Sequence, residues 1–507
     1  MTLSSQENTP LLSGRSDSTD SGTYSSIENA IEVDPKYMDE ESFLPSTENS
    51  EPTKQGTLVT IFAVWSSMMG TSLLAMPWAF QQAGMIQGIV IQLLLAALSA
   101  YTAVLVLKSS KKFADPVTGS IPEFAVVCQK LFGKFGTIIT TQCSAILFAG
   151  ALIVYWILMS ELLYNSVNSI HYFSARSSAN QSNSTNPKET SSMENSKGVL
   201  LNNHTICPDR EKDSSQQLTP IPAWSENHTV PFFLVVLFAP LIQLRSASFF
   251  TRFGAAGCIP VIFLAVYSVM KSALWGLHVD FENTDSVHHI QLFSNNFPAL
   301  SGVLTMAFFM HNSIITFFKH SEKPRNNVRD LSISYCLVVA TYGIIGMSIY
   351  MSFPDEKACL RQNFFENISV TDSVSLVAQL MLFFRLVTLF PLVTYILRVQ
   401  IFVPTTGKEY PGHLHVAVLN IIVVALCVFC AVFFPNIGDI VRLFFRYAGA
   451  FCGMIYMFLL PCIVDGILEW REDKRLKQRS NISRLAIHLA ICIFGVGNFF
   501  AQFAVNE

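Results

Sequence analysis

Residues Thr57–Phe80 read TLVTIFAVWSSMMGTSLLAMPWAF. The stretch is apolar and long enough to cross a bilayer, which takes about 20 residues. Its middle differs from its ends. Ser66-Ser67-Met68-Met69-Gly70-Thr71-Ser72 puts small and hydroxyl residues at the midplane, and Pro77 follows. A helix that faced only lipid would carry Leu, Ile and Val there. Glycine lowers helix propensity and lets another group approach the backbone. Interrupted helices are tolerated at membrane depth where they face protein or a cavity, and such breaks hold solutes and ions. A Gly/Ser/Thr helix-packing face is the competing reading.

The rest of the chain sets the context. Of its 507 residues 51% are hydrophobic and 14% charged, where a soluble domain has about 25% charged. Mean hydropathy is +0.40. The fold class expected is an all-α polytopic membrane protein. The net charge of −3 carries little information, because most charge sits in the tail and loops, and no nucleic-acid partner is expected. Residues 1–56 are polar, acidic and rich in Ser, Thr and Asn; they cannot bury a core and are expected to be a disordered tail. No charged-then-apolar block opens the chain, so no signal peptide is expected.

Eleven spans are read within a transmembrane domain at 57–505: 57–80, 84–107, 136–165, 230–244, 253–277, 297–318, 331–353, 373–402, 413–434, 438–468 and 484–505. With the tail in the cytosol, the short cytosolic loops hold seventeen Lys and Arg; the short opposite loops hold only Lys357 and Arg361. The excess of cations places the N-terminus in the cytosol and the C-terminus in the lumen. Asn180, Asn183, Asn203, Asn227 and Asn367 each begin a glycosylation sequon, and all five fall on the luminal side, four of them in the insertion 174–229. Of eleven cysteines only Cys207 and Cys359 lie in luminal loops, where an oxidising environment favours a disulfide between them.

Spans 1–5 and 6–10 form blocks of 165 and 172 residues once the insertion is set aside. Five is odd, so the second block enters from the opposite side. This is the inverted-repeat architecture of secondary transporters, with an eleventh helix outside the repeat. The repeat predicts that span 6 is interrupted where span 1 is. Span 6 carries Phe309-Met310-His311-Asn312-Ser313 inside an apolar stretch.

An opened backbone at Ser67, Met68, Met69, Gly70, Thr71 and Ser72 would offer N–H groups to a carboxylate and C=O groups to an ammonium, the two demands of an amino acid. Phe309, His311 and Asn312 are the matching candidates in span 6; an interhelical hydrogen bond is the alternative for the polar pair. Span 8 holds Arg385, Thr388 and Pro391 on one helix face. Arg385 is read as a fixed cation near Thr388 and Ser66, as a partner of Glu161 or Asp439, or as a side chain snorkelling to an interface. Lys271 is read as snorkelling. His488 is read as a titrating group or a buried neutral histidine. In the tail, Glu7-Asn8-Thr9-Pro10-Leu11-Leu12 fits the acidic dileucine pattern read by clathrin adaptor complexes, so Glu7, Leu11 and Leu12 are candidate sorting residues for a lysosomal or late endosomal address. No nucleotide-binding loop, metal cluster or Ser/His/Asp arrangement stands out, and no enzymatic role or cofactor is expected.

The stretches LVTIFAVWSSMMGTSLLAMPWAFQQAG, GALIVYWILMS, GVLTMAFFMHNSIITFFK followed by NNVRDL, and FFPNIG resemble the amino acid/polyamine/organocation superfamily. Within it they are similar to the sodium-coupled neutral amino acid transporters, and there to the lysosomal ninth branch. The resemblance covers about 57–505. It implies a leucine-transporter-type fold of five plus five inverted helices and one more. It further implies amino acid export from the lysosome by alternating access, with Na+ or H+ as coupling ion and membrane lipid, a sterol among them, as a contact. Two departures stand out. The family's span 1 carries Asn four residues before the Gly, where this chain has Ser66, and Arg385 lies beside Thr388; weak or absent sodium dependence is therefore expected. The short tail shows no convincing match to the segment that engages the Rag–Ragulator signalling complex, which stays a partner the tail does not support. The alternative left open is a nutrient-sensing receptor that binds an amino acid or a sterol and transports little.

Overall fold

A computed structural model of the chain describes residues 55–116, 121–182, 207, 224–226, 228–244, 253–319, 321–368, 372–408, 410–434, 444–472 and 479–504. Glu7, Leu11, Leu12, Asn183, Asn203, Asn227 and Asp439 lie outside those residues.

Among the described residues the regular elements are all helices, joined by turns and coil, with two isolated bridges, Gln55 with Ser321 and Asp280 with His289. In order the helices are α1 (Thr57–Met68), α2 (Ser72–Ala83), α3 (Met85–Lys112), α4 (Phe124–Ser182), α5 (Val230–Ile242), α6 (Cys258–Trp275), α7 (Pro298–Ala307), α8 (Ile314–Phe318), α9 (Asn327–Ser352), α10 (Ser373–Thr406), α11 (His413–Phe433), α12 (Ala450–Gly453), α13 (Leu460–Glu472) and α14 (Arg479–Ala501). Two π-helical turns, Phe444–Gly449 and Met454–Leu459, flank α12. Every stretch read as a span contains helix. Among the described residues eight helical stretches are long and apolar enough to cross a membrane, the run Tyr447–Arg471 through α12 and α13 being one of them, or nine when α1 and α2 count as one bent span. Helices α5 and α7 are too short to qualify alone, so helix length does not by itself fix the count at eleven.

Helix α4 departs most from its expected bounds of 136–165. It begins at Phe124, bends at Gly133 (φ 64°, ψ −146°) and runs to Ser182, inside the segment read as the insertion 174–229. The polar residues after 165 continue the helix, with Ser166 and Ser169 buried along one side. At 1.5 Å per residue the part beyond Gly133 is about 70 Å long, more than twice the hydrocarbon thickness. Its last turns therefore project past the membrane.

The outward faces are apolar: Val236 is 75% exposed, Ile421 66% and Ile493 63%. Lipid solvates such side chains, and water does not. Inside, α10 packs along α4. Trp156 of α4, Phe238 of α5 and Phe390 of α10 form an aromatic knot, with ring centroids 4.7–5.6 Å apart. The second assembly is α1, α2, α7 and α9, with α2 packed on both α7 and α9.

One face of the bundle carries the chain's N-terminal approach, where Gln55 O accepts from Glu322 N at 2.9 Å. The opposite face carries a disulfide between Cys207 and Cys359. Cys359 sits in a cluster with Ile349, Phe353, Leu360, Trp78 and Trp275, so the bridge ties Cys207 to the ends of α6 and α9 and to Trp78 of α2. Lys357 caps α9 there, donating to Tyr350 O, Phe353 O and Met351 O at 2.9, 2.9 and 3.4 Å. Burial pushes its ammonium down to about 8. Asn367 is the one sequon residue with a described side chain. Its Nδ2 donates to Cys359 O at 2.8 Å.

Candidate functional site

Span 1 is interrupted where its sequence changes character. Helix α1 ends at Met68; Met69 leaves the helical region (φ −82°, ψ 79°), and α2 restarts at Ser72 at a bend of 60°. The break is closed by short turns, Met69 N to Ser66 O at 3.0 Å and Gly70 N to Met68 O at 3.1 Å. In the first turn of α2, Leu73 N and Leu74 N donate back to Gly70 O and Thr71 O at 3.3 and 3.0 Å, and among the described residues Thr71 N and Ser72 N have no backbone acceptor. Gly70 is required by proximity: a Cβ on it would lie 2.9 Å from the Tyr155 hydroxyl oxygen of α4. Span 6 is interrupted at the same depth. Helix α7 ends at Ala307, residues 308–313 are turn and coil, and α8 begins at Ile314.

Between the two breaks lies a cavity of about 90 Å³. Ser67, Met68, Gly70, Thr71 and Ser72 line it from span 1, and Phe309, Met310, Asn312 and Ser313 from span 6. Tyr155 and Phe148 of α4 and Leu389, Leu392, Val393 and Ile396 of α10 complete the wall, and the lining contains no charged side chain. Asn312 is 2% exposed, and among the described residues neither its Oδ1 nor its Nδ2 has a hydrogen-bond partner. Its position is held through the backbone, because Gln400 Nε2 donates to Asn312 O at 2.8 Å. A buried amide without partners costs about 1–3 kcal/mol, so a polar group in the cavity would be bound there. Ser67 donates to Val64 O at 2.8 Å and contributes only acceptor capacity.

Two candidates stand elsewhere. Met69 is fully buried outside the lining. His311 is 0% exposed and turned away from the cavity: its Nε2 lies 2.9 Å from Thr102 Oγ1 of α3, and its ring lies against Phe309. It makes an interhelical hydrogen bond, because in the turn at 311–313 successive side chains leave in different directions and Asn312 takes the cavity side. Tyr155 is a wall residue that the residue pattern did not single out. It lay in the quoted stretch GALIVYWILMS, but only the close approach to Gly70, 85 positions away, gives it significance.

Behind span 1 is a fixed cation. Arg385 of α10 is 0% exposed. Its guanidinium donates to Ser66 O and, at 3.4 Å, to Thr388 Oγ1. Ser66 Oγ donates to Gly254 O at 2.9 Å. The space for this head group exists because residue 257 is glycine: a Cβ there would lie 2.6 Å from Arg385 Nη1 and 2.9 Å from Thr388 Oγ1. Among the described residues no carboxylate pairs with Arg385. Glu161 instead accepts from Asn363 Nδ2 at 3.0 Å. Ser66, Arg385 and Thr388 are thus brought together beside the cavity rather than in its wall. Lys271 does not snorkel; it pairs with Asp372, whose Oδ2 also accepts from Ser375 at 2.6 Å. His488 Nε2 lies 3.0 Å from the Tyr101 hydroxyl and 3.8 Å from Asp465.

The family described as transmembrane amino acid transporter protein matches residues 53–183 and 214–505. This chain belongs to that family. It is accordingly a transporter and not an enzyme. It is similar to the "Sodium-coupled neutral amino acid transporter 9 homolog" of Caenorhabditis elegans, 36% identical over 482 residues covering 92% of this chain and 76% of that protein. It is 38% identical over 456 residues to the "Neutral amino acid transporter 9" of Danio rerio, covering 89% and 81%. Its fold is that of the leucine-transporter type. The crystal structure of MhsT in complex with L-phenylalanine aligns with 88% of this chain and 98% of its own, at a TM-score of 0.50 and 12% identity.

Proposed function

We propose that this transporter carries neutral amino acids with apolar side chains from the lysosomal lumen to the cytosol, without sodium. The observation that carries the reading is the unpartnered Asn312 amide, held beside the opened backbone of span 1 in a cavity with no charged lining. An α-carboxylate matches the N–H groups of Thr71 and Ser72, and an α-ammonium the hydroxyl oxygens of the same two residues. An apolar side chain matches Phe148, Leu389, Leu392 and Ile396, whereas a charged one would be desolvated without a partner.

Direction has its own support. The cavity extends along α4 from Tyr155 to Leu147 and along α10 from Leu389 to Ile396, which is the way to the face carrying Gln55. The excess of Lys and Arg on that face assigns it to the cytosol. The acidic dileucine of the tail supplies the lysosomal address, with the disulfide face luminal. Absence of sodium coupling rests on Arg385, whose guanidinium occupies the oxygens of Ser66 and Thr388.

Purified protein in liposomes gives the test. Counterflow of labelled L-leucine should be saturable, competed by L-phenylalanine and not by L-glutamate, and equal in sodium and choline chloride. Binding without flux would replace the carrier by an amino acid receptor; neither binding nor flux of any amino acid would end the reading.

A further inference from the structure

We propose that Tyr335 and Tyr342 of α9 are positioning residues that splint the two interrupted spans and fix the hydrogen-bond polarity of Ser72. The two tyrosines are seven residues apart, two helical turns, and so share a face of α9. They are 3% and 0% exposed and do not line the cavity. Each hydroxyl donates to a carbonyl at the last turn before a break. Tyr342 reaches Met68 O, the end of α1, at 2.6 Å; Tyr335 reaches Phe308 O, the cap of α7, at 3.0 Å.

Terminal carbonyls of a helix have no partner within it, and at membrane depth water is not there to supply one. Without these phenols the carbonyls at the breaks would be left unpaired, and the turns around them would open more readily. Ser99 of α3 adds a second hold on span 6, at 3.0 Å from Phe308 O and 2.9 Å from the Tyr335 hydroxyl. The second donor at Met68 O is Gly70 N at 3.1 Å, a bond within the turn that ties the break to no other helix, so Tyr342 matters more than Tyr335.

Proton counting extends the argument to the substrate. A phenol has one proton, and Tyr342 commits it to Met68 O. The contact of 2.8 Å between Ser72 Oγ and the Tyr342 hydroxyl is therefore donated by Ser72. The Ser72 oxygen then turns only lone pairs to the cavity it lines, and an ammonium, not a carboxylate, is the group it accepts. This last step rests on the amino acid reading above; the splint itself does not.

The experiment separates the two. Amide hydrogen exchange is followed by mass spectrometry on the purified full-length protein without amino acid, for peptides covering residues 66–74 and 307–314. Tyr342→Phe should speed exchange at 66–74 about tenfold, the effect of one hydrogen bond of ordinary strength, and leave 307–314 unchanged. Tyr335→Phe should speed 307–314 by about threefold, because Ser99 remains. Tyr350→Phe removes a buried hydroxyl from the same helix that touches neither break, and should change nothing. Unaltered exchange at both peptides in Tyr342→Phe and Tyr335→Phe would overturn the splint; should Tyr342→Phe not fold, Tyr335→Phe alone decides. Labelled L-leucine binding then tests the polarity. Ser72→Ala should weaken it about tenfold while leaving exchange at 66–74 as in the wild type, and unchanged leucine affinity in Ser72→Ala would overturn that assignment. Wild-type protein that binds no leucine would count against the transport reading and not against the splint.

Discussion

Replacing Arg385 by Gln should make transport respond to sodium, where that of the wild type is expected not to. A hard cation between span 1 and α10 would need oxygen ligands, and Ser66 O and Thr388 Oγ1 are the oxygens on hand. Both are occupied by the guanidinium, the second at 3.4 Å. A sodium ion on Thr388 would therefore sit within about 4 Å of the Arg385 charge. At an effective dielectric constant of about 20, that repulsion is about 4 kcal/mol, or roughly a thousandfold in affinity. A site of millimolar strength would become molar and stay empty at any physiological concentration. Gln removes the charge, keeps one N–H donor for Ser66 O, and vacates the volume that Gly257 leaves open.

The assay is uptake of labelled L-leucine into proteoliposomes, with sodium chloride replaced stepwise by choline chloride at constant ionic strength. Wild type should be flat. Arg385→Gln should be slower in choline, because span 1 has lost its brace, and should recover with sodium. Arg385→Lys should remain flat, which separates charge from shape. Steep, saturable sodium dependence in the wild type would refute the reasoning outright. So would a sodium response in Arg385→Lys that Arg385→Gln lacks.

Four further outcomes are expected. Gly70→Ala should lower leucine flux by tenfold or more, since its Cβ would lie 2.9 Å from the Tyr155 hydroxyl and small displacements at a site cost large factors; Tyr155→Phe in the same protein should restore part of the rate. Cys207→Ser should lower stability by about 2–4 kcal/mol, read as a fall in melting temperature that reductant reproduces in the wild type and not in the variant. His288, whose ring lies 4.9 Å from that of His278, has its pKa lowered by burial first and then by the nearby His278 and Lys357 charges. Its folded pKa lies below the unfolded value near 6.5, so stability is lost as pH falls from about 6.5 towards that lower value; His288→Gln should flatten the melting-temperature change between pH 7 and pH 5. Replacing Leu11 and Leu12 by Ala should move the protein to the plasma membrane, and unchanged lysosomal location by microscopy would remove the sorting assignment.

What could be read from the sequence and what could not divide along a physical line. The breaks were legible because they are local. Ser-Ser-Met-Met-Gly-Thr-Ser and His-Asn-Ser are poor fillers for a helix in lipid, and the chain is interrupted at 69–71 and at 308–313. Which neighbour of a break faces the cavity was not legible. His311 and Asn312 are equally polar and adjacent, yet one bonds Thr102 and the other lines the cavity, because their directions depend on turn angles that composition does not set. The length of α4 was hidden for another reason. Hydropathy reports what the membrane solvates, and the turns after residue 165 leave it while remaining helical. The groups that hold the breaks open were the least legible of all. Tyr342 reaches Met68 across 274 positions and Arg385 reaches Ser66 across 319. No window along the chain contains either pair. The consequence is testable in kind: substitutions that weaken the breaks should cluster in α9 and α10, helices that are themselves unbroken, as well as in the Gly and Ser residues that mark the breaks in the sequence.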